Sequence, residues 1–268
     1  MSAARPVAGH VARKRFGQHF LVDASVVAAI VEAIHPRPGQ ILVEIGPGLA
    51  ALTAALLERV DHLHAVEIDR DLAARLRRRW DERHLSLHVA DALRFDYAAL
   101  AAPDGPQRLR LVGNLPYNIS SPLLVHLLAS RRHVDDQHFM LQREVVDRIV
   151  AEPGSAAFGR LSVLMQAFYE VESLFTVPPQ AFDPPPKVDS AVLRMSVRRD
   201  RSQLDPAPLQ RVLAAGFGQR RKMIRKTLLP WLAAAGVADA GLDPTLRPED
   251  LPVDVWLDLA ARLGVPRS

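Results

Sequence analysis

Between Ile41 and Leu141 the apolar residues follow two alternating rhythms. Short continuous runs, Ile41–Ile45, Leu63–Ile68, Leu85–Ala90, Leu109–Gly113 and Phe139–Leu141, read as buried β-strands. The segments 51–59 and 72–80 between them read as helices. Upstream, Asp23 can cap a helix whose apolar stripe is Val26, Val27, Ile30, Val31 and Ile34, and the turn at 36–39 ends it. Strand and helix in alternation predict an α/β fold with a Rossmann-like, doubly wound, mostly parallel sheet. After Glu144 the rhythm changes. A helix is expected near 161–168, then two further strands at 169–177 and 191–197 with a proline-rich loop between them, completing a seven-stranded sheet.

The stretch 200–208 is polar and holds two prolines, which marks a boundary. The expected organisation is a disordered tail at 1–12, an α/β domain at 13–199, a linker at 200–208 and a small all-helical domain at 209–268. Its helices are expected over 209–229, 231–235 and 253–263. No internal repeat or low-complexity segment interrupts this plan.

Composition narrows the function classes. At 268 residues the chain can bury a real core. No apolar run is long enough to span a bilayer, so no membrane partner is expected. The first dozen residues are basic without an apolar centre, so no secretory signal is expected either. There is no cysteine, which removes disulfides and thiolate chemistry and makes a reducing cytoplasm the expected setting. The ten histidines are scattered at spacings that fit no metal site. A monomer is expected, for want of an apolar seam. The net charge is only +4, but from Arg194 to Lys226 ten Arg and Lys residues face two acids, an asymmetry that points to a polyanionic partner.

The candidate chemistry sits where the predicted strands end. Asn114-Leu115-Pro116-Tyr117 follows the fourth strand and offers an amide, nearby carbonyls and an aromatic face. Such a set suits a flat heterocycle with an exocyclic NH2, such as adenine. The first strand runs into Glu44-Ile45-Gly46-Pro47-Gly48, where Gly46 and Gly48 let the backbone approach a ligand. Glu67 ends the second strand, where a carboxylate can accept from both hydroxyls of a ribose. Ala51 and Glu67 together also satisfy a loose NAD fingerprint. Two details favour S-adenosylmethionine. Glu44 would lie beside a pyrophosphate in a dinucleotide site, an unfavourable pairing of like charges, whereas it suits the cationic methionine moiety. Asp91, ending the third strand, is placed to accept from an adenine amino group.

The chain resembles the bacterial small-subunit (16S) rRNA adenine N6,N6-dimethyltransferases, the family whose loss gives kasugamycin resistance. The matching segments run in order along the chain: Arg15-Phe16-Gly17-Gln18-His19-Phe20-Leu21, 44–53, Val66-Glu67-Ile68-Asp69, 114–120, Gln142-Arg143-Glu144-Val145, 182–192 and 217–228. The resemblance implies a class I methyltransferase fold and S-adenosylmethionine contacts at His19, Leu21, Gly46, Glu67, Asp91 and Asn114. It implies that Asn114, Leu115, Pro116 and Tyr117 grip the target adenine, with Phe182 closing over it from the proline-rich loop. Many members carry Asn where this chain has His19. The implied substrate is a pair of adjacent adenosines in the terminal hairpin of small-subunit rRNA, within an immature small subunit.

RNA contacts are expected from the basic helix, with Arg221 and Arg225, and Lys222 and Lys226, at helical spacing beside Arg220. The cluster Arg13-Lys14-Arg15 adds to them. Two other readings stand beside this one: a large-subunit rRNA adenine methyltransferase of the macrolide-resistance type, and an RNA-binding assembly factor that has lost catalysis. DNA adenine methylation is disfavoured, because the basic C-terminal region leaves little room for a base-reading domain.

Overall fold

The computed structural model describes residues 17–101, 108–219, 221–237 and 239–264. The 1–12 tail, Arg13-Lys14-Arg15 and Arg220 therefore lie outside the described residues. By packing, the chain forms two units, one of residues 1–146 with 172–197 and one of 147–171 with 198–268. This division differs from a single break at 200–208. The helix expected near 161–168 packs with the C-terminal helices.

In chain order the first unit contains β1 (Phe20–Leu21), α1 (Ala24–Ile34), β2 (Ile41–Ile45), α2 (Ala51–Leu57), β3 (Leu63–Glu67), α3 (Arg70–Arg79), β4 (Leu85–Val89), β5 (Leu109–Asn114), α4 (Ser120–Leu127) and β6 (Val134–Gln142). The chain then enters α5 (Arg143–Val150) and α6 (Arg160–Phe168), and returns through β7 (Tyr169–Val177), β8 (Phe182–Asp183) and β9 (Ser190–Val197). The main sheet has seven strands in the order β4-β3-β2-β5-β6-β9-β7. Neighbours from β4 to β6 run parallel, and β9 is antiparallel to β6. The doubly wound sheet is thus as the alternation predicts.

Local chemistry explains these elements. The Asp23 carboxylate accepts from the N–H groups of Ser25 and Val26 at the start of α1, satisfying donors the helix cannot. Val27, Ile30, Val31 and Ile34 are buried, four of the five residues of the predicted stripe. Gly113 lets β5 lie against β2, since a Cβ there would stand 2.4 Å from the Ile45 carbonyl oxygen. The strand seen in the sequence as Phe139–Leu141 extends over Val134–Gln142. Its polar half carries buried Gln137 and His138, so an apolar-run criterion truncates it. Pro122 sits in the first turn of α4, where a missing N–H costs nothing, and that helix escaped the sequence reading.

The second unit holds α6, α7 (Pro206–Phe217), α8 (Leu228–Ala234) and α9 (Val253–Gly264). Phe217 stacks on Trp256 at 5.2 Å, and the indole N–H donates to the Leu251 carbonyl. The continuous helix expected over 209–229 is two helices. The Ile224 and Arg225 N–H groups donate to the carbonyls of Leu246 and Pro244, so helical bonding is interrupted there and only a short 3-10 turn spans Ile224–Lys226. Arg221 with Arg225, and Lys222 with Lys226, therefore do not share an α-helical face. All four are exposed.

Candidate active site

In the sheet order, β3 and β4 lie on one side of β2 and β5 on the other, so the connections diverge between β2 and β5. Open α/β sheets form their binding crevice at the C-terminal ends of strands at such a point. A cavity of about 330 Å³ opens there, within the range of small-molecule sites. It brings together His19 and Leu21 from β1 and the residue before it, Glu44 in β2, Gly46 and Gly48 after β2, Glu67 ending β3, Asp91 after β4, and Asn114, Leu115, Pro116 and Tyr117. Gly46 and Gly48 have φ of 70° and 57°, a region that favours glycine. The parallel register aligns the ends: Glu44 pairs across with Val112 of β5, and Ile45 with Val66 of β3.

The acids differ in their environment. Glu44 is 2% exposed and its Oε2 has no hydrogen-bond partner among the described residues. Burial pushes its carboxyl up to about 7; the Thr53 hydroxyl pulls it down and the charge of Glu67 adds to the rise. Glu67 is also raised by burial, against the N–H groups of Asp69 and Gly48, which donate to Oε1 at 2.8 Å and Oε2 at 3.3 Å. Asp91 accepts the Leu93 N–H at Oδ1 and meets Arg94 at 4.0 Å through Oδ2.

The Asn114 amide is oriented. Its Nδ2 donates to the His19 carbonyl at 3.0 Å, and only an amide NH2 can donate to a carbonyl, so Oδ1 is the acceptor end. The Pro116 carbonyl accepts from the Ile119 N–H, and the Leu115 N–H donates to the Met140 carbonyl. The Tyr117 hydroxyl lies 2.5 Å from Ser190 Oγ. Burial raises the pKa of that hydroxyl, and the serine opposes the rise. Sequence reasoning missed Ser190, which nothing in its immediate neighbours distinguishes.

Phe182 departs from expectation. It is 3% exposed, pairs with Leu21 across β1 and β8, and packs in the hydrophobic core with Val27 and Ala181. Its ring is a core ring here and does not line the cavity. A proline-rich context alone does not tell a presented aromatic from a buried one.

Part of the basic asymmetry is also neutralised. Arg194 pairs with Glu172, Arg198 with Glu170, and Arg201 with Asp254 and Asp200. The partners Glu170, Glu172 and Asp254 come from distant sequence, out of reach of a local count. No ion pair engages Arg221, Lys222, Arg225 or Lys226 among the described residues. Among the described residues, too, no group of three or more potential ligands could hold a metal ion, and no helix is long and apolar enough to cross a membrane.

A doubly wound sheet whose strand ends carry Glu44, Glu67 and Asp91, then an oriented Asn-Leu-Pro-Tyr segment, defines an S-adenosylmethionine-dependent methyltransferase. The donor set fits that cofactor: Glu44 lines the cavity, and its buried carboxyl, with one oxygen unpartnered among the described residues, suits a cationic group. The chain belongs to the ribosomal RNA adenine dimethylase family, which matches residues 9–263. It is 53% identical to the ribosomal RNA small subunit methyltransferase A of Janthinobacterium sp. (strain Marseille), over 95% of this chain and 99% of that protein. The protein of the same name from Bordetella pertussis is 55% identical over 96% of each chain. Among solved structures, a dimethyladenosine transferase from Plasmodium falciparum superimposes with a TM-score of 0.76 at 21% identity, covering 92% of this chain and 99% of that one. The 23S rRNA methyltransferase ErmE gives 0.65 at 27% identity, covering 91% and 99%.

Proposed function

We propose that this chain dimethylates N6 of two adjacent adenosines in the 3'-terminal hairpin of small-subunit (16S) rRNA during ribosome assembly. The relatives above half identity are named for the small subunit and align over nearly their whole length, whereas the large-subunit enzyme is 27% identical. The observation that carries the chemistry is the bond from Asn114 Nδ2 to the His19 carbonyl, which leaves Oδ1 as a fixed acceptor at the cavity.

Adenine N6 is a poor nucleophile because its lone pair is delocalised into the ring. Asn114 Oδ1 accepts one N6 proton. A main-chain carbonyl at Leu115 or Pro116 takes the second; the Pro116 carbonyl, which accepts from the Ile119 N–H, keeps a second lone pair for it. With both protons held, the lone pair is directed at the incoming methyl group. S-adenosylmethionine, when bound, supplies that methyl as an electrophile on a sulfonium. Orientation of this kind is worth roughly 7–11 kcal/mol at best. No dedicated base is needed, because the methylated amine sheds a proton readily.

The cofactor-side residues divide the work. Glu67 would receive the ribose hydroxyls beside the N–H groups it already accepts from. Asp91 would accept from the adenine amino group. Glu44 faces the cationic methionine end, and His19, Leu21, Gly46 and Gly48 shape the wall. The target base leaves its stack, and Tyr117 offsets the lost stacking of about 1–3 kcal/mol. Arg221, Lys222, Arg225 and Lys226, with Arg220, meet rRNA phosphates, and the protein acts as a monomer in the cytoplasm on an immature small subunit.

Asn114→Ala tests the assignment. Methyl transfer is expected to fall by about a hundredfold or more, while cofactor binding stays measurable by equilibrium dialysis. Full activity in that variant would refute the role.

A further inference from the structure

The imidazole of His19 is committed on two sides. Its Nδ1 lies 2.8 Å from the Pro184 carbonyl, which can only accept, so Nδ1 carries the proton. Its ring stacks on Tyr117 with centroids 5.5 Å apart and planes inclined by 29°. The main chain of the same residue supplies the carbonyl that orients Asn114. On the far side of Tyr117 its hydroxyl is tied to Ser190, the first residue of β9. The two groups that grip the target base are thus held by one histidine and one serine outside the Asn-Leu-Pro-Tyr segment.

We propose that His19, with Ser190, is a positioning residue for the target adenine: it fixes the Asn114 amide and the Tyr117 plane, and it decides which face of Tyr117 the base takes. This rests on the adenine-methylation reading above. A base slipped between two rings needs their centroids about 7 Å apart, two stacking separations of about 3.5 Å each. At 5.5 Å that space is closed. His19 therefore covers one face of Tyr117 and the adenine stacks on the other. Asparagine, common at this position in the resembled family, could donate to Pro184 but could not cover the ring.

The test uses full-length protein carrying His19→Ala, His19→Asn, His19→Phe or Ser190→Ala. Two quantities are read: the single-turnover methylation rate on under-methylated small subunits at saturating S-adenosylmethionine, and the dissociation constant of S-adenosylhomocysteine. His19→Ala is expected to slow the saturated rate by about ten- to a hundredfold, as displaced reacting groups do, a loss that saturating cofactor does not restore and that is separate from any rise in the dissociation constant from its place in the cofactor wall. His19→Asn restores the Pro184 bond alone and His19→Phe the ring contact alone, so each recovers part of the rate. Ser190→Ala also slows the step, and adds nothing on a Tyr117→Phe background, where the same bond is already gone. A dissociation constant that rises for His19→Ala while the saturated rate is unchanged makes His19 a cofactor contact and overturns the proposal. So does a wild-type rate in both His19→Ala and Ser190→Ala. Wild-type protein that binds S-adenosylhomocysteine yet methylates no RNA would instead overturn the methylation reading itself, and the proposal with it.

Discussion

Glu44 and Arg110 are charged residues buried near opposite ends of two neighbouring strands, β2 and β5, and their surroundings differ. Arg110 uses every N–H of its guanidinium: Asp136 accepts from Nε and Nη2, Gln40 and the His35 carbonyl from Nη1, and the Ile34 carbonyl from Nη2. Two of those acceptors belong to the last turn of α1 and its cap, so the arginine closes a helix end. Glu44 keeps one oxygen without a partner among the described residues, and its carboxyl is pushed up to about 7. A complete set of partners marks a structural charge. An incomplete set on a residue that lines a cavity fits a place where a cation binds.

Substitution should separate the two. Arg110→Ala leaves Asp136 and two carbonyls without their donor and is expected to cost about 3–5 kcal/mol in urea unfolding. Cofactor affinity per folded molecule should not change. Glu44→Gln is expected to act in the opposite sense, stabilising the cofactor-free protein at pH 8 by up to about 3 kcal/mol while weakening S-adenosylmethionine binding. A large loss of stability in Glu44→Gln would place this acid with Arg110 and break the comparison.

The pH dependence sharpens it. Glu44 holds its proton to about 7 in the folded chain, against a reference of 4.5. Its contribution to stability is therefore present below 4.5 and lost as pH rises to about 7. His138 has the opposite sign. Burial lowers it from 6.5 to about 4, so its contribution is present above 6.5 and lost as pH falls towards 4. The two effects oppose each other between 4.5 and 6.5. Thermal melts of Glu44→Gln should show a steeper acid loss than wild type, and those of His138→Gln a shallower one.

The smallest effect extends the same distinction to the surface. Each of Arg221, Lys222, Arg225 and Lys226, with no ion pair among the described residues, should lower the slope of log affinity against log salt for small-subunit binding by about 0.7–0.9 when changed to Gln. Arg194→Gln, whose charge is held by Glu172, should leave the slope unchanged.

These contrasts also explain what the sequence made legible. Strand ends in a parallel sheet converge by topology, so Glu44, Glu67, Asp91 and Asn114 could be assigned to one crevice from their order alone. The basic helix misled because spacing presumes an uninterrupted helix, and the bonds from Ile224 and Arg225 to Leu246 and Pro244 are long-range. Phe182 misled for a related reason: its burial depends on pairing with Leu21, 161 positions earlier by their numbers. The orphaned oxygen of Glu44 and the tether from Ser190 to Tyr117 likewise emerge only when distant segments meet.

The most direct test is transfer of labelled methyl groups from S-adenosylmethionine to under-methylated small subunits, large subunits and duplex DNA, with the products identified as nucleosides by mass. The account predicts N6,N6-dimethyladenosine in small-subunit rRNA alone. Label in large-subunit rRNA, or tight small-subunit binding with no label anywhere, would contradict it.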